Sequence, residues 1–241
     1  MGYTTYECAA GKWYLISAMF EKTGGGDVNL QDLIKGDDRL VSGKSASDNV
    51  SPLLQYWDPD AGYKMFYFLQ TAVYDKKAYK NVWSKSTSAY DPNVTVDVGR
   101  GVWFHPIADC TITVAGQVAE VAGKTKTVYA DKWNLIANPY PTEFVINGGK
   151  VDWAAAGFVS GKSAADNVSP LIQYWDPDTG YKMFYYLQTA VYDKKAYKNV
   201  WSKSTSAYDP NAAVPAGYGF WIYGTKAMFG NQDSIDLDFS L

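Results

Sequence analysis

The stretch LLQYWDPDAGYKMFYFLQ, residues 53–70, decides the fold class. Its first part, Leu53 to Trp57, is apolar and aromatic, the composition that suits a pleated, half-buried surface. Asp58-Pro59-Asp60-Ala61-Gly62 then carries the letters of a tight turn. Pro59 presets φ at the second turn position, Asp58 can bond the backbone two residues on, and Gly62 can take the left-handed position. After the turn, side chains alternate between two faces. Tyr63, Met65, Tyr67 and Leu69 share one, and Lys64, Phe66, Phe68 and Gln70 share the other. The spacing predicts a β-hairpin.

The same hairpin is written twice. Val41 to Asn93 recurs at Val159 to Asn211, and over these 53 positions only Ser47/Ala165, Leu54/Ile172, Ala61/Thr179 and Phe68/Tyr186 differ. In the second turn, Asp176-Pro177-Asp178-Thr179-Gly180, every residue with a conformational task is kept. An internal period of this length divides a 241-residue chain into two units of ordinary domain size. We place them at residues 1–122 and 123–241. Lys12-Trp13-Tyr14-Leu15-Ile16 matches Lys132-Trp133-Asn134-Leu135-Ile136 at an offset of 120, and from Val41 the offset is 118. Further alternating strands are expected at Thr111–Val114 and Ile235–Leu241. The polar, Tyr-containing stretches after Thr71 and after Ser84 read as surface loops. Helix is scarce, with one short turn at Asp27–Lys35 and its counterpart at Asp152–Ala156. The fold class is all-β: two homologous β-sandwich or barrel-like units in tandem, each with one short helix.

Composition excludes several functions. A net charge of −3 with scattered Lys and Arg offers no stripe for nucleic acid. No run of 18 apolar residues exists to span a membrane as a helix. Both units are large enough to bury a core without metal or disulfide, and no cofactor is called for.

Few residues invite chemistry. His105 is the sole histidine, faces Tyr223 in the other copy and has no nucleophile pattern beside it, so it reads as a strand-end side chain. Cys8 and Cys110 align by offset with Val128 and Met228, which points both thiols inward. A bridge closing a loop of roughly 100 residues and a pair of buried free thiols both fit. Asp58 and Asp60, with Asp176 and Asp178, could approach Ca²⁺, but the turn explains the same letters with no metal. Trp57, Phe66 and Phe68, with Trp175, Phe184 and Tyr186, are candidate ligand-facing aromatics. The added hydroxyl of Tyr186 suggests a face near water, where rings could stack on sugars; the competing reading buries them in the core. Asn49-Val50-Ser51 and Asn167-Val168-Ser169 match the glycosylation acceptor pattern.

Three phrases come in a recognisable order: Trp133-Asn134-Leu135-Ile136-Ala137-Asn138-Pro139-Tyr140-Pro141, Gln173 to Tyr181, and Pro215-Ala216-Gly217-Tyr218-Gly219-Phe220-Trp221. They resemble a tandem β-rich repeat of secreted and cell-surface bacterial proteins. Unit one departs from it, having Ser17-Ala18-Met19-Phe20 in place of Asn-Pro-Tyr-Pro. The resemblance implies an extracellular or cell-surface location, with a native signal peptide absent from this sequence. It implies no activity.

These readings lead to a non-enzymatic structural protein that self-assembles into a filament, tube or surface layer. Ile235, Leu237, Phe239 and Leu241 lie where a further unit would begin, and Tyr3, Thr5 and Glu7 lie on the first strand. The two strands are expected to join neighbouring copies by edge pairing, or else to pair with each other and close the monomer. The alternative function is a carbohydrate-binding surface module using the duplicated aromatics. Expected partners are therefore other copies of the chain, or glycans.

Overall fold

In the computed structural model, which describes residues 1–119 and 124–239, every pair of named strands is antiparallel. Contacts divide the chain into two compact units, Met1–Ala119 with Pro139–Pro141 and Glu120–Asn138 with Thr142–Leu241. The expected boundary at residues 122 and 123 falls outside the described residues, as does Leu241.

Unit one holds β1 (Gly2–Cys8), β2 (Tyr14–Ser17), β3 (Val28–Asn29), helix α1 (Leu30–Leu33), β4 (Lys35–Gly36), β5 (Leu53–Asp58), β6 (Gly62–Tyr74), β7 (Lys77–Ser84), β8 (Thr95–Val96), β9 (Gly101–His105) and β10 (Cys110–Gly116). Its main sheet has the order β2-β9-β5-β6-β7, with a second sheet β1-β10-β4 and a short β3-β8 pair. Unit two holds β11 (Lys124–Tyr129), β12 (Asn134–Ala137), β13 (Phe144–Val145), β14 (Leu171–Asp176), β15 (Gly180–Tyr192), β16 (Lys195–Ser202), β17 (Ala213–Val214), β18 (Gly219–Tyr223) and β19 (Ser234–Phe239). There the main sheet is β12-β18-β14-β15-β16, with β11-β19 and β13-β17 beside it. The all-β class holds.

The predicted hairpin is β5–β6, with Asp58 opposite Gly62 and Leu53 opposite Tyr67; β14–β15 repeats the register. Asp58 Oδ1 accepts the backbone N–H groups of Asp60 and Ala61 at 3.0 Å, and Gly62 has φ +78°. Beyond Thr71 the structure differs from the expected loop. β6 continues to Tyr74 and turns straight into β7, so the stretch is a second hairpin. Its two turn residues, Asp75 and Lys76, have φ 46° and 61°, as do Asp193 and Lys194 to within a few degrees. That is the type I′ geometry, normally signalled by Asn-Gly or Asp-Gly.

Helix content differs too. α1 is a single turn capped by the Asn29 side chain on the Gln31 N–H. The counterpart at 152–156 is a hydrogen-bonded turn, and unit two instead has a 3-10 turn at Lys226–Phe229.

The closing strand requires a larger correction. β19 pairs with β11, not with Tyr3–Ala9, and Val128 lies opposite Ile235 as Cys8 lies opposite Cys110. It is therefore unit two's own copy of β10, and the structural counterpart of Cys110 is Ile235 rather than Met228. The 3-10 turn inserted before β19 shifts the offset, which is why a constant spacing misplaced it. Ile235, Leu237 and Phe239 are buried while Asp236 and Asp238 are exposed. Phe239 packs on Phe144 at 5.5 Å between ring centroids, and Phe144 stacks on Phe220 at 5.4 Å. These residues hold the unit's core rather than meeting a place where a further unit begins. On β1, Tyr3, Thr5 and Glu7 do point outward.

Candidate binding cleft

Both units carry a cleft at the same place, beside the outermost strand of the main sheet. In unit one its volume is about 730 Å³. Phe68 on β6, Asn81 and Trp83 on β7, and Tyr90 line one side; Gln31, Asp38 and Ser42 line the other. In unit two the cleft is about 370 Å³, lined by the equivalents Tyr186, Asn199 and Tyr208. The first side comes from the duplicated block and is almost invariant, whereas much of the second comes from the flanks and has diverged.

Local structure explains the invariant side. An outermost strand leaves every second residue's N–H and C=O without a strand partner. At Trp83 they are met by one side chain: the Gln31 Oε1 accepts the Trp83 N–H at 2.9 Å, and Gln31 Nε2 donates to the Trp83 carbonyl at 2.8 Å. In unit two Asn147 does the same for Trp201, at 2.9 Å in both directions. The amide of a different residue, reaching from a different element, thus imitates one rung of a neighbouring strand.

Two residues along, Asn81 and Asn199 sit inside β7 and β16 with φ 52°. Left-handed backbone within a strand is uncommon outside glycine, and asparagine is among the residues that tolerate it best. The Asn81 Oδ1 accepts the Ser42 hydroxyl at 2.7 Å, and Ser160 repeats this on Asn199. The amide NH₂ of Asn81 remains as a donor at an exposed position on the cleft.

The flanks set the difference in volume. In unit two Trp153 packs on Trp201 at 5.0 Å, and Phe158 meets Trp201 at 5.8 Å and Tyr186 at 6.2 Å. The position of Phe158 is held in unit one by Leu40, a smaller and half-buried side chain. Phe68 is accordingly half-buried, while Tyr186 is 3 % exposed. Burial also pushes the Tyr186 hydroxyl above its ordinary pKa. The water-facing position expected for that hydroxyl is thus not what the structure shows.

The other candidate aromatics divide. Phe66 and Phe184 are core residues at 2 % and 3 % exposed. Trp57 and Trp175 are half-buried and pack edge-on against Tyr63 and Tyr181 at 5.0 Å, away from the cleft. Only Phe68 and Tyr186 of the six line it. Asn81, Gln31 and Tyr90 were not singled out in the sequence. A polar residue breaking the pattern of a Tyr-rich strand at both Asn81 and Asn199 was the available signal.

The aspartates of the hairpin turns have structural partners. Asp58 Oδ1 is taken by the turn and Oδ2 by Lys64 at 2.6 Å; Asp176 is held likewise, with Lys182 at 2.8 Å. The Lys64 hydrogen bond and the turn N–H groups hold Asp58 at a pKa of about 2, and Lys182 with the same turn lowers Asp176 further. Among the described residues no cluster of His, Cys, Asp and Glu could hold a metal ion. His105 stacks on Trp13 at 4.6 Å as Tyr223 stacks on Trp133 at 5.0 Å, a shared packing position. Ser51 in the glycosylation pattern donates to the Ser45 carbonyl at 2.6 Å, as Ser169 does to Ser163. Among the described residues no helix is long and apolar enough to cross a membrane.

Compared with known proteins, the chain matches no family model, no curated protein and no solved structure.

Proposed function

We propose that the protein is a non-enzymatic, cell-surface carbohydrate-binding module whose principal site is the cleft of unit one. The observation that carries this is the cleft itself. A half-buried Phe68 ring offers an apolar face for the C–H side of a sugar, while the Asn81 amide and the Asp38 carboxylate supply the donor and acceptor that fix its hydroxyls. Its volume lies in the range of small-ligand sites, which run from roughly 300 to 1,000 Å³. The Ser42 hydroxyl in the cleft donates to the Asn81 amide oxygen rather than to a base, which supports binding rather than turnover. A glycan array probed with the full chain tests it, followed by calorimetry on any hit. Phe68→Ala and Asn81→Ala are expected to abolish the signal, and Trp57→Ala to preserve it. Silence across the array, or binding that survives both cleft substitutions, would refute the reading.

A second reading, self-assembly into a filament, tube or surface layer, keeps one specific support. β10 is flanked on its far side by β4, with Thr111 accepting the Asp37 N–H at 3.0 Å. Among the described residues β19 has no such neighbour, so its outer edge at Asp236 and Asp238 is available to another strand. Ile235, Leu237 and Phe239 belong to the core, so deleting the strand is not a clean test of assembly. Asp238→Pro is the better one, since it removes an outward N–H. Size-exclusion chromatography and negative-stain microscopy should show assembly by the parent and its loss in the variant. A parent that stays monomeric at high concentration would exclude this second reading.

A further inference from the structure

The two cysteines of the chain stand directly opposite each other, Cys8 closing β1 and Cys110 opening β10. Both are buried, at 3 % and 1 % exposed, and are free thiols in this structure. The register fixes their separation. The Thr111 carbonyl accepts from Asp37, so Thr111 directs its backbone toward β4, and its neighbour Cys110 directs its own toward β1. Cys8 and Cys110 are therefore a hydrogen-bonded antiparallel pair, for which the Cα–Cα distance is about 5.5 Å. Disulfides form at Cα separations of roughly 4.4–6.8 Å, so no backbone movement is needed. The Cys8 thiol donates to the Tyr6 carbonyl at 3.6 Å. The neighbouring Cys110 thiol, with burial adding to it, raises the Cys8 pKa, while Cys8 lowers that of Cys110 against the effect of burial. Core packing does not demand sulfur here, because the same position in unit two is filled by Val128 opposite Ile235.

We propose that Cys8 and Cys110 are a redox site whose disulfide staples the first strand of unit one to its last. The oxidant is a small disulfide such as oxidised glutathione. One thiolate attacks it and releases a glutathione thiol, leaving a mixed disulfide. The second thiolate then attacks the protein sulfur of that mixed bond and expels the second glutathione. Two protein thiols have then lost two protons and two electrons, one glutathione disulfide has become two thiols, and one S–S bond has formed. Because both sulfurs are covered in the folded state, exchange takes place during folding or on fraying of the strand ends beside Ala9 and Asp109. The closed loop spans roughly 100 residues, and a bridge of that span shifts the folding equilibrium by about 10³-fold in the chain-entropy picture. Unit two has no equivalent, so the device protects one copy only.

The test is to refold the full chain in a glutathione redox buffer, quench with acid, and titrate thiols in denaturant without reductant alongside intact mass. Loss of both thiols and of two hydrogens, with no retained glutathione and a monomeric band on a non-reducing gel, is expected. Two titratable thiols after exhaustive oxidation, a retained glutathione, or disulfide-linked dimers would each overturn the proposal. Guanidinium unfolding supplies the second readout. Oxidised protein should unfold at higher denaturant than reduced protein, and equal midpoints would refute the staple. The variant Cys8→Val with Cys110→Ile imports the unit-two pair and should fold with no response to redox buffer.

Discussion

Replacing Gln31 by alanine tests whether a side-chain amide completes the edge of the main sheet. The substitution removes both bonds to the Trp83 backbone, at 2.9 and 2.8 Å, while leaving the packing of Trp83 itself untouched. Trp83 is 2 % exposed, so its N–H and C=O cannot both be rehydrated freely. A buried polar group deprived of its partner costs about 1–3 kcal/mol. Gln31 is half-buried and borders the cleft, so water can reach one of the two groups, and the expected loss is about 2–3 kcal/mol. Asn147→Ala should cost a similar amount in unit two, since Trp201 is held by the same pair of bonds. Gln31→Glu sharpens the case. A carboxylate still accepts from the Trp83 N–H but sets its second oxygen against a carbonyl, so it should lose at least about 1 kcal/mol despite its similar size. Urea unfolding with an unchanged m-value reads the loss, and amide hydrogen exchange at Trp83 and Trp201 localises it. If both alanine variants fall within about 0.5 kcal/mol of the parent, the amide rung is ornamental and the reasoning fails.

Two further outcomes follow from the turns and the glycines. A Cβ on Gly43 would lie 1.9 Å from Ser51 Oγ and 2.1 Å from the Val50 carbonyl, with nearly the same values at Gly161. Gly43→Ala should therefore destabilise by about 3 kcal/mol through overpacking, whereas Gly62→Ala should cost about 1–2 through its left-handed φ alone; denaturant midpoints in the reverse order would refute the close approach. Asp58, held at about 2 against an ordinary 3.8, stabilises the folded state fully above the unfolded value and loses that contribution as pH falls toward about 2. Asp176 acts in the same direction, so Asp58→Asn with Asp176→Asn should flatten the acid limb of stability between about pH 4 and 2; an unaltered limb would refute the assignment.

The first hairpin was legible because every turn letter had a conformational task. The second was not: Asp75 and Lys76 adopt positive φ without the glycine that usually announces it. The alternating strand at 235–239 was also legible, yet its place in the fold was not, because an inserted 3-10 turn broke a spacing that held elsewhere. The cleft depends on partners from far along the chain. Gln31 meets Trp83 and Asn147 meets Trp201, and no local pattern announces either meeting. Sequence alone gave the Phe68/Tyr186 exchange but placed it near water; the ring that covers Tyr186 is Phe158, outside the aromatic hairpin.

The near-identical blocks have a consequence for folding. Each is a three-stranded sheet, β5–β6–β7 or β14–β15–β16, completed by flanking strands that accept it through backbone pairing. Backbone pairing hardly distinguishes one copy from the other, and the four differing side chains do little more. What selects the right partner is connectivity: the loop from Ser84 at the end of β7 to Gly101 at the start of β9 is short, whereas pairing the first block with β18 would close a loop from Ser84 to Gly219, roughly eight times as long. That entropy difference is about 2 kcal/mol. The chain is thus assembled from interchangeable parts, kept in their places by tethering more than by recognition.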